Sequence, residues 1–595
     1  MSGFLADPET RKILRAAVPV TIGLASLAYL AVKLTSKPSN GFTADESIPT
    51  VRLREGESVH DIEYRENPER FLEYCEKTYG PIFNIHLMNQ KLTVVGHPYI
   101  KEVFTNSNFS STDAIDEVTG LRKYSASIVK SNCEIDNSTM HELLRDVLTP
   151  KLQLFTERIA GHLDLTLGYT FGGGFETKVV DDPLGLVFHI IAGTMAKVFM
   201  GMEIAQDPKV TESFIFCTRD FGQMLQAGVP DRSFWHMFSV NTKYGYLDGA
   251  LNPLHKHVQA LVTASTPVIL ERRRREAECK EKGIPYERPL DIMQILLDES
   301  DKYGFVDLED MCGHIMLTVL ASVHTTVDAC TNMLYFFAAY PQHAETLYNE
   351  QQDVLDEQAR EREKERAKLV AKAYEQGAAV PEFDGTDLDP KKDREVTTSA
   401  IRKMVYFDSY LREVFRYRSA RLNLAHKARK TVVFSNGQYI SKGSKVIINM
   451  RSAHYNPEQG EDVNEFKPFK YVGQTAKSPA KAATDMIFFG MGAHICPGRF
   501  LAINEMKILG TLFLQRYSRV EFKDREAGMR RLTQIVGEPL DQALILTSRH
   551  HASTEEATSV STETSSTSTT TATTTTNSST TISVTLESSS TMVIV

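Results

Sequence analysis

The sequence predicts a mainly α-helical fold with a small β-sheet region. Two patterns carry that expectation. From about residue 100 to 345 apolar side chains recur at helical spacing, whereas Ile82 to Val95 alternates like two β-strands and is closed by Gly96-His97-Pro98. A third observation sets the scale. The 595 residues, 42% of them hydrophobic, hold enough apolar material for one large core with appendages, or for several domains.

In chain order, residues 1–35 read as a membrane anchor. Ala16 to Val32 is uncharged and mostly apolar, with Arg11, Lys12 and Arg15 before it and Lys33 after. It is at the short end of what spans a bilayer. A cleaved signal peptide is the rival reading, but no convincing small-residue cleavage site follows. The flanking charge is balanced and sets no orientation. Residues 36–66 form a polar linker, and a folded body occupies 67–550. That body opens with an amphipathic run at Phe71, Leu72, Tyr74 and Cys75, then Gly80-Pro81. The single tryptophan, Trp235, falls in the aromatic-rich stretch 206–250. Asp307 starts a long helix, with Asp310 three residues on as in a capping box. The helix runs to Tyr340, ahead of Pro341, about 45 Å at 1.5 Å per residue. Charge dominates 350–397, which reads as a solvated helix face plus a loop inserted at the surface. Residues 551–595 are Ser/Thr-rich and read as a disordered tail without a retention or lipidation signal.

Composition excludes some functions. A formal net charge of −9 leaves no broad basic field for nucleic acid. The seven cysteines, at 75, 133, 217, 279, 312, 330 and 496, lack paired spacing and read as reduced thiols. No CxxC or HExxH pattern occurs, so zinc is not expected.

The chemistry concentrates at Phe489-Gly490-Met491-Gly492-Ala493-His494-Ile495-Cys496-Pro497-Gly498-Arg499. Cys496 stands at the mouth of an apolar-periodic run (Phe500, Leu501, Ile503, Met506, Leu509, Leu512, Phe513). Unpaired N–H groups at a helix start favour a thiolate. Gly490 and Gly492 permit a sharp turn that brings donors to the sulfur. Phe489 is an apolar shield and His494 a donor two residues away. This suits one axial thiolate on a haem iron. A lone cysteine is usually a small buried hydrophobe, or a nucleophile when a distant histidine serves it. Neither needs two glycines, a phenylalanine and Pro-Gly at these offsets. The loop resembles the haem-binding loop of the cytochrome P-450 family at Phe489, Gly490, Gly492, His494, Cys496, Gly498 and Ala502. The resemblance implies the cytochrome P-450 fold, heme b as cofactor and Cys496 as the axial ligand of its iron.

Other segments take their meaning beside that loop. Ala321-Ser322-Val323-His324-Thr325-Thr326 lies midway along the long helix, where small residues and hydroxyls cost helix propensity. A Thr hydroxyl bonded back to the i−4 carbonyl loosens a helix and opens a groove beside a ligand. A helix–helix contact needing small side chains would look the same. The segment resembles the family's oxygen-activating groove. Thr325 matches the hydroxyl that steadies dioxygen and relays protons, and Ala321 the small residue over the haem. Ser322 replaces the usual Gly and His324 the usual acid, so proton delivery through imidazole or water is expected.

Glu413-Val-Phe-Arg416 is a commonplace i,i+3 pair taken alone. Its place before the cysteine loop resembles the family's structural Glu-x-x-Arg clamp behind the haem. The third member, usually an Arg, is here Lys470 in Phe466-Lys-Pro-Phe-Lys470, and Lys cannot make a planar two-point contact. For the haem propionates the resemblance points to His141 and Arg145, in a stretch like the family's Trp-x-x-x-Arg with His141 for Trp, and to Lys427. Each of these alone is as readily a surface charge.

These stations follow the family's order over roughly residues 70 to 550 and look like membrane-anchored microsomal members of the fungal kind. They imply a monooxygenase inserting one oxygen atom of O2 into a C–H bond of a lipophilic small molecule, a steroid or terpenoid before a fatty acyl chain. They also imply a single-pass N-terminal anchor in the endoplasmic reticulum membrane, contact with membrane lipid and a catalytic domain facing the cytosol. Electrons would come from NADPH through a flavoprotein reductase docking near the thiolate, helped by Arg499 and Lys507. Pocket walls are expected from about 105–130, 210–245, 317–325, 420–425 and 533–540. Two other readings compete: a reductase-independent isomerase or dehydratase acting on a hydroperoxide, and a non-enzymatic membrane-tethered interaction protein. Retention of Thr325 favours monooxygenation.

Overall fold

The computed structural model describes residues 47–87, 90–119, 121–131, 139–171, 176–227, 253–376, 390–418, 422–456, 460, 462–533 and 542–549. The anchor expected at 16–32, Trp235 and the Ser/Thr-rich tail lie outside them.

An early helix, α1 (Pro68–Tyr79), is built by its ends. The Asn67 side chain accepts the Arg70 N–H, Pro68 sits in the first turn, and Gly80 turns the chain out at φ 87°. Phe71, Leu72 and Cys75 are buried, and Tyr74 faces out. Next come β1 (Ile82–Leu87) and β2 (Gln90–Val95), antiparallel with Ile82 opposite Val95. Their alternation separates two cores rather than a core from water. Phe83, Ile85 and Val94 pack with α1, while Ile82 and Val95 join the cluster around Ile448 and Ile487.

The remaining strands are β3 (Phe109–Ser110), β4 (Thr177–Val180), β5 (Leu422–Ala428), β6 (Val432–Val433), β7 (Tyr439–Ile440), β8 (Lys445–Asn449), β9 (Tyr517–Phe522) and β10 (Leu544–Ser548). The largest sheet runs β1-β2-β8-β5-β3, a second runs β4-β10-β9, and β6 and β7 make a hairpin. β2 and β8 pair in parallel, which ties the start of the body to its C-terminal half.

The longer helices after α1 are α2 (Leu152–Phe171), α3 (Pro183–Met200), α4 (Pro208–Ala227), α5 (Pro253–Glu281), α6 (Leu308–Ala339), α7 (Pro341–Glu375), α8 (Val405–Arg418) and α9 (Arg499–Arg516). Helix α6 is the axis, packing on α3, α4, α5, α7, α8 and α9. The Asp307 carboxylate caps it by accepting the Asp310 N–H at 2.9 Å, and Tyr340 closes it. Its 32 residues span about 48 Å. Among the described residues α3 alone is long and apolar enough to cross a membrane, but 67% of it is buried inside the protein, as in a core helix.

The charged stretch after α6 is mostly helix. α7 has 35 residues and buries Gln351 and Gln358. The Gln358 amide donates to the Asp393 and Glu395 carbonyls at 3.0 and 2.9 Å, and Arg366 pairs with Asp393 at 2.6 Å. These contacts fasten the returning segment to α7. Residues 377–389 lie outside the described set.

Candidate active site

The cysteine loop is shaped by backbone. The Cys496 N–H donates to the Phe489 carbonyl at 2.8 Å, closing the turn. Gly490 and Gly492 take φ of 73° and 66°, a region that favours glycine. At Gly492 a Cβ would also come within 2.7 Å of the Phe104 carbonyl oxygen. The Phe489 ring stands edge-on to Phe415 of α8 at 5.4 Å, which fixes the loop against the core.

Cys496 lies just ahead of α9, with Gly498 as its N-cap. Burial raises the thiol pKa, while the N–H groups of Gly498 and Arg499 and the Arg499 charge pull the other way. The Arg499 guanidinium donates to the Cys496 carbonyl at 2.8 Å and lies over the exposed Phe500 ring. A half-buried sulfur with amide donors and a cation beside it suits a soft metal ligand held as thiolate. His494 falls in the turn Gly492–His494, and its side chain lies outside the described set.

On α6, the residues around the expected groove differ from the rest of the helix. Ala321, Thr325 and Asp328 are exposed in a helix otherwise buried over most of its length. They fall at i, i+4 and i+7, on one face. The Thr325 hydroxyl donates back to the Ala321 carbonyl at 2.9 Å, with Ser322 O at 3.3 Å. That is the back-bond that loosens a helix. His324 packs edge-on against Phe188 of α3 at 5.8 Å, and burial pushes its pKa below the ordinary 6.5. An open strip of small and polar side chains on a helix that packs against α9, the helix Cys496 precedes, is where a flat cofactor held by Cys496 would find room.

The Glu413–Arg416 pair of the clamp is fully buried. Arg416 donates to both oxygens of Glu413 at 2.7 Å, and to the carbonyls of His454, Val463 and Glu465 at 3.2, 2.7 and 3.0 Å. Glu413 also accepts the Lys467 N–H at 3.0 Å and meets Lys470 Nζ at 3.0 Å. Lys470 makes the single-point contact its chemistry allows. Burial lowers its pKa despite Glu413, whereas Glu413 outweighs burial at Arg416 and raises it.

The residues expected for the propionates have these surroundings. His141 is half-buried ahead of a π-helical turn, Leu143–Leu148, which contains Arg145. Arg145 is exposed and pairs with neighbouring Asp146 at 2.7 Å. Lys427 pairs with Glu117 at 2.6 Å, and Lys445 joins from the other side at 2.7 Å.

One expectation is corrected outright. Lys507 is 2% exposed, and its ammonium donates to the Ile401 and Met404 carbonyls and pairs with Asp408 at 2.7 Å. It is a structural cation and has no surface to offer a reductase. Two carboxyl residues went unremarked in the sequence, Asp328 on the open face of α6 and Glu505 within α9. The signal for Asp328 was its i+3 spacing from Thr325; Glu505 had none beyond a charge in an apolar run.

A mainly helical body, a cysteine just ahead of a helix start and a long central helix with a back-bonded threonine on its open face fit the haem-thiolate oxygenases. The cytochrome P450 family model matches residues 57–370 and 389–540, and the chain belongs to that family. Among its relatives are cytochrome P450 monooxygenase 151 of Postia placenta, 26% identical over 64% of this chain and 69% of that one. Another is cytochrome P450 monooxygenase TES1 of Alternaria alternata, 24% identical over 73% and 78%. The structure of a retinoic acid-bound cyanobacterial CYP120A1 superposes with a TM-score of 0.55 at 18% identity, covering 82% of this chain and 96% of that one. The protein is therefore a monooxygenase of the haem-thiolate type, and its cofactor is heme b.

Proposed function

We propose that this monooxygenase inserts one oxygen atom into a C–H bond of a lipophilic small molecule, a steroid or terpenoid before a fatty acyl chain. Electrons come from NADPH through a flavoprotein reductase, at the endoplasmic reticulum membrane. The observation that carries the oxygen-inserting reading is the pairing of the Cys496 loop with the Thr325 hydroxyl on the open face of α6. The lipophilic class is supported by apolar residues on the described parts of the expected walls, Ile115, Leu317, Leu320 and Leu424 among them.

When bound, the haem supplies oxygen activation at its iron, and Cys496 would be the residue that holds it. The Gly498 and Arg499 N–H groups and the Arg499 charge favour the thiolate, against burial, which raises the thiol pKa. Phe489 and Phe415 exclude water behind it. Ala321, small and on the open face of α6, would leave room for the group, and Thr325 presents a hydroxyl able to accept and pass a proton. Glu413, Arg416 and Lys470 hold the backbone behind the loop and touch no reacting atom.

The test is the reduced, carbon monoxide-bound absorption spectrum of wild type against Cys496→Ser, followed by NADPH-driven turnover of a lipophilic panel with a microsomal reductase. A thiolate-type band in wild type, lost on substitution, with reductase-dependent product, supports the reading. Turnover of a lipid hydroperoxide without NADPH would replace it with an isomerase or dehydratase.

A further inference from the structure

A polar cleft of about 590 Å3 opens where the end of β2 meets the segment that leads to the cysteine loop. His97, Lys470, Tyr471, Gln474, Lys477 and Asp485 line it. Its wall carries positive charge in excess. Lys470 Nζ and the Arg416 fork both draw on Glu413, at 3.0 and 2.7 Å. Lys477 pairs with Asp485, and Arg412 reaches the same carboxylate at 3.4 Å. Arg412 and Lys470 each stand 5.0 Å from the centre of the Tyr471 ring, which joins the two sets of pairs into one cluster. These pairs set four cations against two carboxylates. Arg412 and Arg416 are fully buried, and Arg412 Nε has no partner among the described residues. Charge held away from water is screened poorly, so a wall of this sign draws an anion into the cleft.

The donors left to a ligand are of one kind. Both guanidinium groups are engaged by Glu413, Asp485 and backbone carbonyls. The ammonium groups of Lys470 and Lys477, 27% and 35% exposed, are reached from solvent. Each ammonium is a point charge with three N–H donors, which one carboxylate contact does not use up. Arginine at 470 would close on Glu413 as a planar fork; lysine makes a single contact and keeps donors for the cleft. The Asn456 amide donates to His97 Nδ1 at 3.4 Å, which leaves the ring proton on Nε2 and makes that atom a donor. The Gln474 amide gives one N–H to the Lys470 carbonyl at 2.8 Å and has a second to offer.

We propose that this cleft binds the phosphate group of a small soluble phosphomonoester, with Lys470 and Lys477 as its cations and His97 and Gln474 as neutral donors. A planar carboxylate suits an arginine fork, and both forks are taken. A tetrahedral dianion with three free oxygens suits separate ammonium groups. A cleft of about 590 Å3 is larger than a bare ion needs and has room for an organic part beside the phosphate. Lys470 also links the cleft to the clamp, so the bound phosphate draws on the same ammonium as Glu413.

The test uses the full-length holoenzyme without reductase, so that protein docking plays no part. Calorimetric titration with inorganic phosphate and with glycerol 3-phosphate, at constant ionic strength set by chloride, should show one saturable site per chain. Glycerol 3-phosphate should bind the more tightly, with a Kd on the order of 1 mM or below. Lys470→Gln and Lys477→Gln should each weaken it about tenfold. Thr484→Glu, at an exposed position of the lining, should abolish binding by placing a carboxylate in the cleft. Lys368→Ala, an exposed lysine of α7 outside the cleft, should leave binding as in wild type. Should a lysine variant fail to accumulate, Thr484→Glu decides, since it removes none of the ion pairs. The proposal is overturned if neither probe saturates, if chloride displaces the probes as well as they displace each other, or if Thr484→Glu binds like wild type. Tighter binding of the bare ion, or a loss in Lys368→Ala equal to that in Lys470→Gln, overturns it too. Binding confined to phosphatidic acid vesicles, with neither soluble probe bound, replaces it with a membrane contact.

Discussion

Glu413→Gln is the sharpest probe of what holds this fold together. The carboxylate is fully buried and meets three donors: the Arg416 fork at 2.7 Å on each oxygen, the Lys467 N–H at 3.0 Å and Lys470 Nζ at 3.0 Å. Glutamine keeps the volume but removes the charge, and it points an amide NH2 at one of two cations. Arg416 keeps its three carbonyl partners, yet its own charge is then uncompensated at 0% exposure. Breaking a buried pair from one side costs about 3–5 kcal/mol, a large share of a typical folding free energy of about 5–15 kcal/mol. Lys470→Ala removes only a one-point contact from a side chain that is 27% exposed, and should cost about 1 kcal/mol. Equilibrium denaturant unfolding of the holoenzymes, followed by Soret absorbance and by circular dichroism, measures both. A Glu413→Gln loss below that of Lys470→Ala would refute the assignment of the buried fork as the main strut.

Thr325→Ala should leave the carbon monoxide spectrum intact but divert most electrons from product to hydrogen peroxide; unchanged product per NADPH would remove Thr325 from the proton path. Gly492→Ala forces a side chain into left-handed backbone against the Phe104 carbonyl and should cost about 1–3 kcal/mol. It should also lower the fraction of thiolate-ligated haem, and a wild-type spectrum with wild-type stability would count against the loop geometry. His162 is pushed down to about 4 by burial and by Lys197 and Arg158, from an ordinary 6.5. The unfolded chain therefore takes up that proton first. Its contribution is present above pH 6.5 and is lost as pH falls toward 4, by about 1–2 kcal/mol after solvent screening. His162→Gln should flatten stability against pH in that window, and an unaltered slope would contradict it.

Much of the site was legible because its signals are local. A cysteine between glycines, a hydroxyl pair interrupting a helix and an Asp cap three residues ahead of Asp310 depend on turn chemistry and on the 3.6-residue period. These are fixed within about one turn of chain. The two short strands were legible for the same reason. What the alternation did not tell is that both faces are covered, one by α1 and the other by the C-terminal half.

Burial decided the rest, and burial is set by elements far apart in sequence. Glu413 and Arg416 read like any i,i+3 surface pair until Val463, Glu465 and Lys467 closed over them. Lys507 looked available for docking, but the carbonyls of Ile401 and Met404 hold it inside. Arg145 and Lys427 took carboxylate partners that no spacing rule assigns. Burial lifts the Glu505 carboxyl to about 8 only because the packed helices removed its water. The sequence by itself determined the turn of the cysteine loop, the long helix with its threonine and the helical class, since backbone preference and periodicity act at short range. Only the tertiary structure decided which charged groups lose their solvent, because desolvation depends on what the rest of the chain brings alongside.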